Sequence, residues 1–167
     1  MKRLWAPWRK KYVTHQKPMR CIFCDACRAP RKNDVKKLVV CRSHHGFILL
    51  NLYPYNNGHV MVVPNRHVPS FERLIDEERL DLLRLVDRSL AILKKTLHPQ
   101  GFNIGMNLGY IGGAGFPNHL HIHVVPRWQG DTNFMPILTG TKVISSSLQD
   151  VYKILSGALK TSQKKRR

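Results

Sequence analysis

Apolar and polar positions fall into short runs along most of this chain, and into helical spacing in two places. Leu38 to Cys41, Gly46 to Leu52 and His59 to Pro64 are apolar runs of strand length. Pro54-Tyr55-Asn56-Asn57-Gly58 lies between the last two, which predicts an antiparallel pair joined by a turn-rich loop. Leu83, Val86, Leu90, Leu93 and Leu97 then recur at steps of three and four, so Asp76 to Leu97 reads as a helix with one apolar stripe. Asp76 is the expected N-cap, with Glu77 and Glu78 at the positive end and Lys94 and Lys95 at the other. Gly101 to Asn107 and His119 to Pro126 read as two more strands. A second helix is expected after Ser145-Ser146-Ser147, sharing Leu148, Val151, Tyr152, Leu155 and Leu159 on one face. Residues 21–37 read as loop. The fold class is therefore α+β: an antiparallel sheet of about five strands, a long covering helix and a C-terminal helix.

Length sets the scale: 167 residues, 43% of them hydrophobic, make one domain with a core. The expected organisation is a basic aromatic arm over 1–20, with Trp5, Trp8 and Tyr12, a single domain over 21–159, and a disordered basic tail over 160–167. Charge supports that division. The formal net charge is +18, split as +10 over residues 1–37, +2 over 38–150 and +6 over 151–167. A uniformly basic nucleic-acid-binding domain is disfavoured, and a near-neutral core with basic ends fits better. No apolar run has membrane length, and the first residues lack the apolar centre of a secretory signal. Three of the four cysteines crowd into residues 21–27, which suits a metal or redox use of thiols in a cytoplasmic protein better than a disulfide framework.

The chemistry concentrates in His119-Leu120-His121-Ile122-His123. Alternate side chains of a strand share a face, so the three histidines line one side and Leu120, Ile122 and Val124 the other. Same-face side chains are spaced ~6.5–7 Å, too far for neighbouring rings to touch but suited to a groove. The glycine-rich Gly112-Gly113-Ala114-Gly115 precedes them, and a glycine loop can turn its N–H groups on an anion. Imidazoles beside an anion site suggest nucleophilic phosphate chemistry. A three-histidine zinc site is a second reading of the same strand. Cys21-Ile22-Phe23-Cys24 can supply half of a tetrahedral zinc site. The pair could also be redox-active, though its strand–helix context is missing, and Cys27 with Cys41 would be needed for an iron–sulfur run.

His119-Leu-His-Ile-His-Val-Val125 resembles the signature of the histidine triad superfamily. Leu50 to His59, the strand Val60 to Pro64, Met106-Asn107-Leu108-Gly109 and the glycine loop resemble it too, over roughly residues 38–145. The Trp5–Trp8 arm and the segment from Pro126 to Phe134 resemble the bacterial diadenosine polyphosphate phosphorylase/hydrolase branch. The resemblance implies that His121 is the nucleophile on the α-phosphate, its other ring nitrogen held by a backbone carbonyl, and that His123 disperses charge. It implies that Asn107 meets the phosphate or bridging oxygen, that Asn51 stands where relatives bind ribose, and that His59 lies behind the site. Gly115 and the residues up to His119 would line the phosphate. Many relatives carry Ser or Thr where this chain has Phe116, so that phosphate contact is absent. For zinc-bearing relatives the implied ligands are Cys21, Cys24, His67 and His119, a closed and therefore structural site, with Cys27 and His44–His45 as substitutes or bystanders.

The implied activity is nucleotidyl transfer from a dinucleoside polyphosphate, through a nucleotidyl-histidine, to phosphate or water. The resemblance also implies a homodimer with an extended sheet. A nucleoside phosphoramidate hydrolase is an alternative, as is binding of nucleic acid or another polyanion by the basic ends. A galactose-1-phosphate-type transferase fits the zinc set but not the length.

Overall fold

The structure is a computed structural model that describes residues 20–131 and 144–164, with side chains up to 159. The N-terminal arm, with Trp5, Trp8 and Tyr12, lies outside the described residues, as do Thr132 to Phe134 and the last three residues. Five strands form one antiparallel sheet in the order β1-β2-β3-β5-β4. They are β1 (Val39–Arg42), β2 (Gly46–Leu50), β3 (Val60–Pro64), β4 (Gly101–Met106) and β5 (Ile122–Arg127). The helices are α1 (Ile22–Arg28), α2 (Asp34–Lys37), α3 (Asp76–Leu97) and α4 (Leu148–Lys164). No helix among the described residues is long and apolar enough to cross a membrane.

Strand alternation divides the core in two. On one face Ile48, Leu50, Val60, Val62, Ile122 and Val124 pack under α3 and α4. On the other, Phe47, Leu49, Met61 and Val63 are covered by Phe23 and Ala26 of α1. β5 is central and buried, so the register places His123 opposite Met61 on this second face.

Local expectations fail where tertiary contacts decide. Residues 21–37 are not a loop: α1, a 3-10 turn at Arg31–Asn33 and α2 occupy most of them. Arg42 holds this segment, donating to the carboxylate of Asp34 and to the carbonyls of Ala26 and Cys27. Asp76 is the first helical residue rather than the cap. Ile75 is the N-cap, and the Glu78 carboxylate reaches back to accept its N–H at 3.0 Å. α3 buries Leu82, Leu85, Val86, Ile92 and Leu93, while Leu83 is 54% exposed. Its sequence carries two overlapping apolar stripes, and contact with the sheet selects between them. The α4 face comes out as the spacing predicts, and Ser147 caps it through the N–H of Asp150. The helix continues through Lys160 to Lys164, where a disordered tail was expected.

β5 begins only at Ile122. The stretch before it leaves the ladder, and the N–H of Leu120 donates to the Val68 carbonyl at 2.7 Å. That departure separates His119 from the two histidines after it.

Candidate active site and metal centre

The three histidines are all buried, and each is oriented by a different partner. His121 Nδ1–H donates to the His119 carbonyl at 2.9 Å, so Nε2 carries the lone pair. The carbonyl hold expected for His121 is therefore present. His59 Nδ1 accepts the N–H of Tyr55 at 3.0 Å, with the Asn51 amide nitrogen 3.3 Å away. Its Nε2–H is then the donor to His123 Nδ1, at 2.9 Å. This relay places the remaining proton of neutral His123 on Nε2.

The rings of His121 and His123 are closer than ideal strand spacing predicts. Their centroids are 4.9 Å apart and the planes cross at 78°, an edge-to-face contact. The side chains lean together, so the expectation that neighbouring rings cannot touch is corrected. Burial pushes the His123 pKa down to about 4, helped by His121, and lowers that of His121 against the pull of its carbonyl bond. Both rings are thus kept neutral near pH 7, as a nucleophilic imidazole requires.

Asn51 spends its side chain locally: besides its approach to His59, its oxygen accepts the N–H of Tyr53 at 3.0 Å. Asn107 directly follows β4, its amide nitrogen 4.0 Å from where a side chain at Gly113 would begin. That loop turns at Gly113 (φ +86°), and a Cβ at Gly112 would lie 2.2 Å from the Leu108 carbonyl oxygen. The N–H groups of Gly113 and Ala114 fold back onto the carbonyls of Tyr110 and Gly109. Two amides expected to face an anion are thus used within the loop. Gly115 and Phe116 are half-buried between the loop and His119.

His119 faces a different centre. Its Nε2–H donates to the Pro64 carbonyl at 3.0 Å, which leaves Nδ1 as a lone pair. That nitrogen lies 3.2 Å from Cys21 Sγ, 3.5 Å from Cys24 Sγ and 3.1 Å from His67 Nδ1. Cys24 Sγ is 3.2 Å from His67 Nδ1, and all four ligand atoms lie within 4.8 Å of one another. Two thiols and two imidazole nitrogens converging on one point can hold a metal ion. Cys27 instead approaches the Asn65 side-chain oxygen, and His44 and His45 pair with each other, so neither belongs to the cluster.

One residue escaped the sequence reading. Phe23, between the two cysteines, is 1% exposed and packs 5.0 Å from the His121 ring, 5.3 Å from His119 and 5.6 Å from Phe116, centroid to centroid. An aromatic inside a CxxC pair was the available signal, and treating the segment as loop hid it.

The sheet, the tautomer-fixed histidine pair and the adjoining Cys/His centre define an α+β protein with a buried, neutral histidine pair next to a Cys/His cluster. The HIT domain model matches residues 32–130, and the chain belongs to the HIT (histidine triad) family. It is 41% identical over 162 residues to an AP-4-A phosphorylase of Mycobacterium tuberculosis, covering 93% of this chain and 83% of that one. It is 31% identical over 137 residues to an uncharacterised HIT-like protein of Methanocaldococcus jannaschii, covering 82% and 99%. Among solved structures, a zinc-bound histidine triad family protein from Mycobacterium smegmatis shares the fold, with a TM-score of 0.67 at 23% identity, over 88% and 98% of the two chains.

Proposed function

We propose that this protein is an enzyme that splits a dinucleoside polyphosphate of the diadenosine tetraphosphate type, with inorganic phosphate as acceptor. The single observation that carries this reading is His121: a neutral, carbonyl-oriented imidazole with its lone pair on Nε2, packed ring to ring against a His123 whose proton sits on Nε2. His121 Nε2 attacks the α-phosphorus, forming a P–N bond as the P–O bond to ATP breaks. His123 donates to a phosphoryl oxygen or the bridging oxygen as negative charge develops. A phosphate oxygen then attacks the nucleotidyl-histidine, releasing ADP and regenerating His121. Water in that second step would make the protein a hydrolase that releases AMP. The 41% identity to a phosphorylase over most of the chain favours phosphate.

Asn107 is read as a phosphate-side contact, with Gly115 and Phe116 as the wall before His119. His59 is read as the residue that sets the His123 tautomer, and Asn51 as its support at the nucleoside end. The whole is one catalytic domain over 21–159. The metal is read as zinc. Zn–S and Zn–N bonds of about 2.3 and 2.0 Å set tetrahedral ligand atoms about 3.3–3.8 Å apart, close to the separations of the four donors here. When bound it cross-links α1 to the segment before β5 and performs no chemistry on substrate. Free thiols held for a metal support a reducing, cytoplasmic setting. β4 is the outer strand of the sheet, with Ile104 and Met106 49% and 39% exposed, which supports a homodimer formed along this edge.

Product analysis tests the activity. Diadenosine tetraphosphate with phosphate should yield ADP and ATP, and His121→Ala should abolish turnover while keeping the fold. Phosphate-independent release of AMP and ATP would make the protein a hydrolase.

A further inference from the structure

Phe23 belongs to a seven-residue helix that begins at a metal-ligand cysteine, yet its ring lies in the wall of the active site. Its ring plane is tilted 35° to that of His121 at a centroid distance of 5.0 Å. The same ring meets His119 edge-on at 63° and Phe116 at 69°. One side chain thus touches the residue read here as the nucleophile, a metal ligand and the end of the glycine loop.

Among the described residues His121 has one hydrogen bond to orient it, from Nδ1–H to the His119 carbonyl. A single bond leaves the imidazole free to rock about that contact. Packed ring faces remove this freedom, because rocking would open a gap in a closely packed interior. His123 bounds His121 on one side and Phe23 on another. Phe23 is itself held by Ala26, Val39, Phe47 and Met61, all buried. Its backbone, however, is a short helix, too short to be stable by itself. The residues on both sides of that helix start, Cys21 and Cys24, converge on His67 and His119. The metal ligands therefore pin the start of the helix that carries the Phe23 ring, while the core holds the ring itself.

We propose that Phe23 is a positioning residue for His121, and that it couples occupancy of the Cys21/Cys24/His67/His119 centre to alignment of the nucleophile. The metal site then acts on catalysis through packing, with no contact to substrate. This rests on the nucleotidyl-transfer reading above, but one arm of its test is independent of any substrate.

That arm is NMR of the zinc-loaded protein. A phenyl ring over an imidazole shifts the imidazole ring protons, so Phe23→Leu should move the His121 signals while those of core methyls such as Leu155 stay in place. Removing the metal with a chelator should move the same His121 signals in the same direction. In the kinetic arm, Phe23→Leu should lower kcat for diadenosine tetraphosphate at least tenfold, leaving KM within twofold and zinc content at one per chain. Phe23→Met serves if the leucine variant does not fold. Unmoved His121 signals in the variant, or unchanged kcat, overturn the positioning role. His121 signals indifferent to metal removal in a folded protein overturn the coupling. A wrong substrate would leave the NMR arm intact, so failure of the two readings can be told apart.

Discussion

His123 receives the His59 Nε2–H on Nδ1 and has little water around it. Burial depresses its pKa from the usual imidazole value to about 4. The native state therefore holds it neutral, while an unfolded chain protonates it near pH 6.5. Its contribution to stability is present above pH 6.5 and is lost as pH falls towards 4. Urea unfolding at pH 7.5 and 4.5 should show the effect: His123→Asn should lose about 1–2 kcal/mol less than the parent between the two conditions. An identical loss in both proteins would contradict the buried, neutral His123. The residue types of the triad were legible from period two, but the single face expected for all three was not kept: His119 turns away to the Cys/His centre because the stretch before Ile122 leaves the ladder. The tautomers were not legible. Those depend on Tyr55, Pro64 and the His119 carbonyl, which only folding brings to the rings.

At the scale of elements, α1 and α3 show why local pattern misleads. α1 has seven residues and scant helical periodicity. It forms because Arg42 binds its C-terminal carbonyls and because Phe23 and Ala26 cover the sheet. In α3 the helix and its span were evident, but its cap residue and part of its buried stripe were not. Glu78 accepts Ile75 N–H and pairs with both Arg66 Nε and Nη2, at 2.9 and 2.7 Å. Arg66 lowers the Glu78 pKa, so this support is present above the ordinary glutamate range and is lost as acid protonates the carboxylate. Glu78→Gln should therefore cost about 1 kcal/mol at neutral pH, with the difference from the parent shrinking near pH 3. Chemical denaturation at the two pH values measures it, and an equal difference at both would count against the ion pair.

For the whole molecule, the sheet is covered on both faces along β2, β3 and the buried part of β5, but among the described residues nothing covers most of β4. Ile104, Met106, Leu108, Tyr110 and Ile111 are all exposed within eight residues. A second copy pairing here would bury them and satisfy the edge. Ile104→Lys should convert a dimer into a monomer in sedimentation velocity while preserving the circular dichroism of the fold. A parent already monomeric at micromolar concentration would remove the dimer.

Alternation and spacing were enough to read an α+β sheet of about five strands, two long helices, a histidine-bearing strand and a CxxC pair in this chain. Such features follow from residues a few positions apart, where strand and helix periods act. The convergence of Cys21 and Cys24 with His67 and His119 is of another kind. It joins residues up to 98 positions apart, so no local period encodes it, and it came from resemblance before geometry bore it out. The lean of His121 towards His123, the stripe α3 buries and the seat of Phe23 against the nucleophile were decided by tertiary packing alone. Each depends on which surfaces exclude water together, and that is a property of the folded chain.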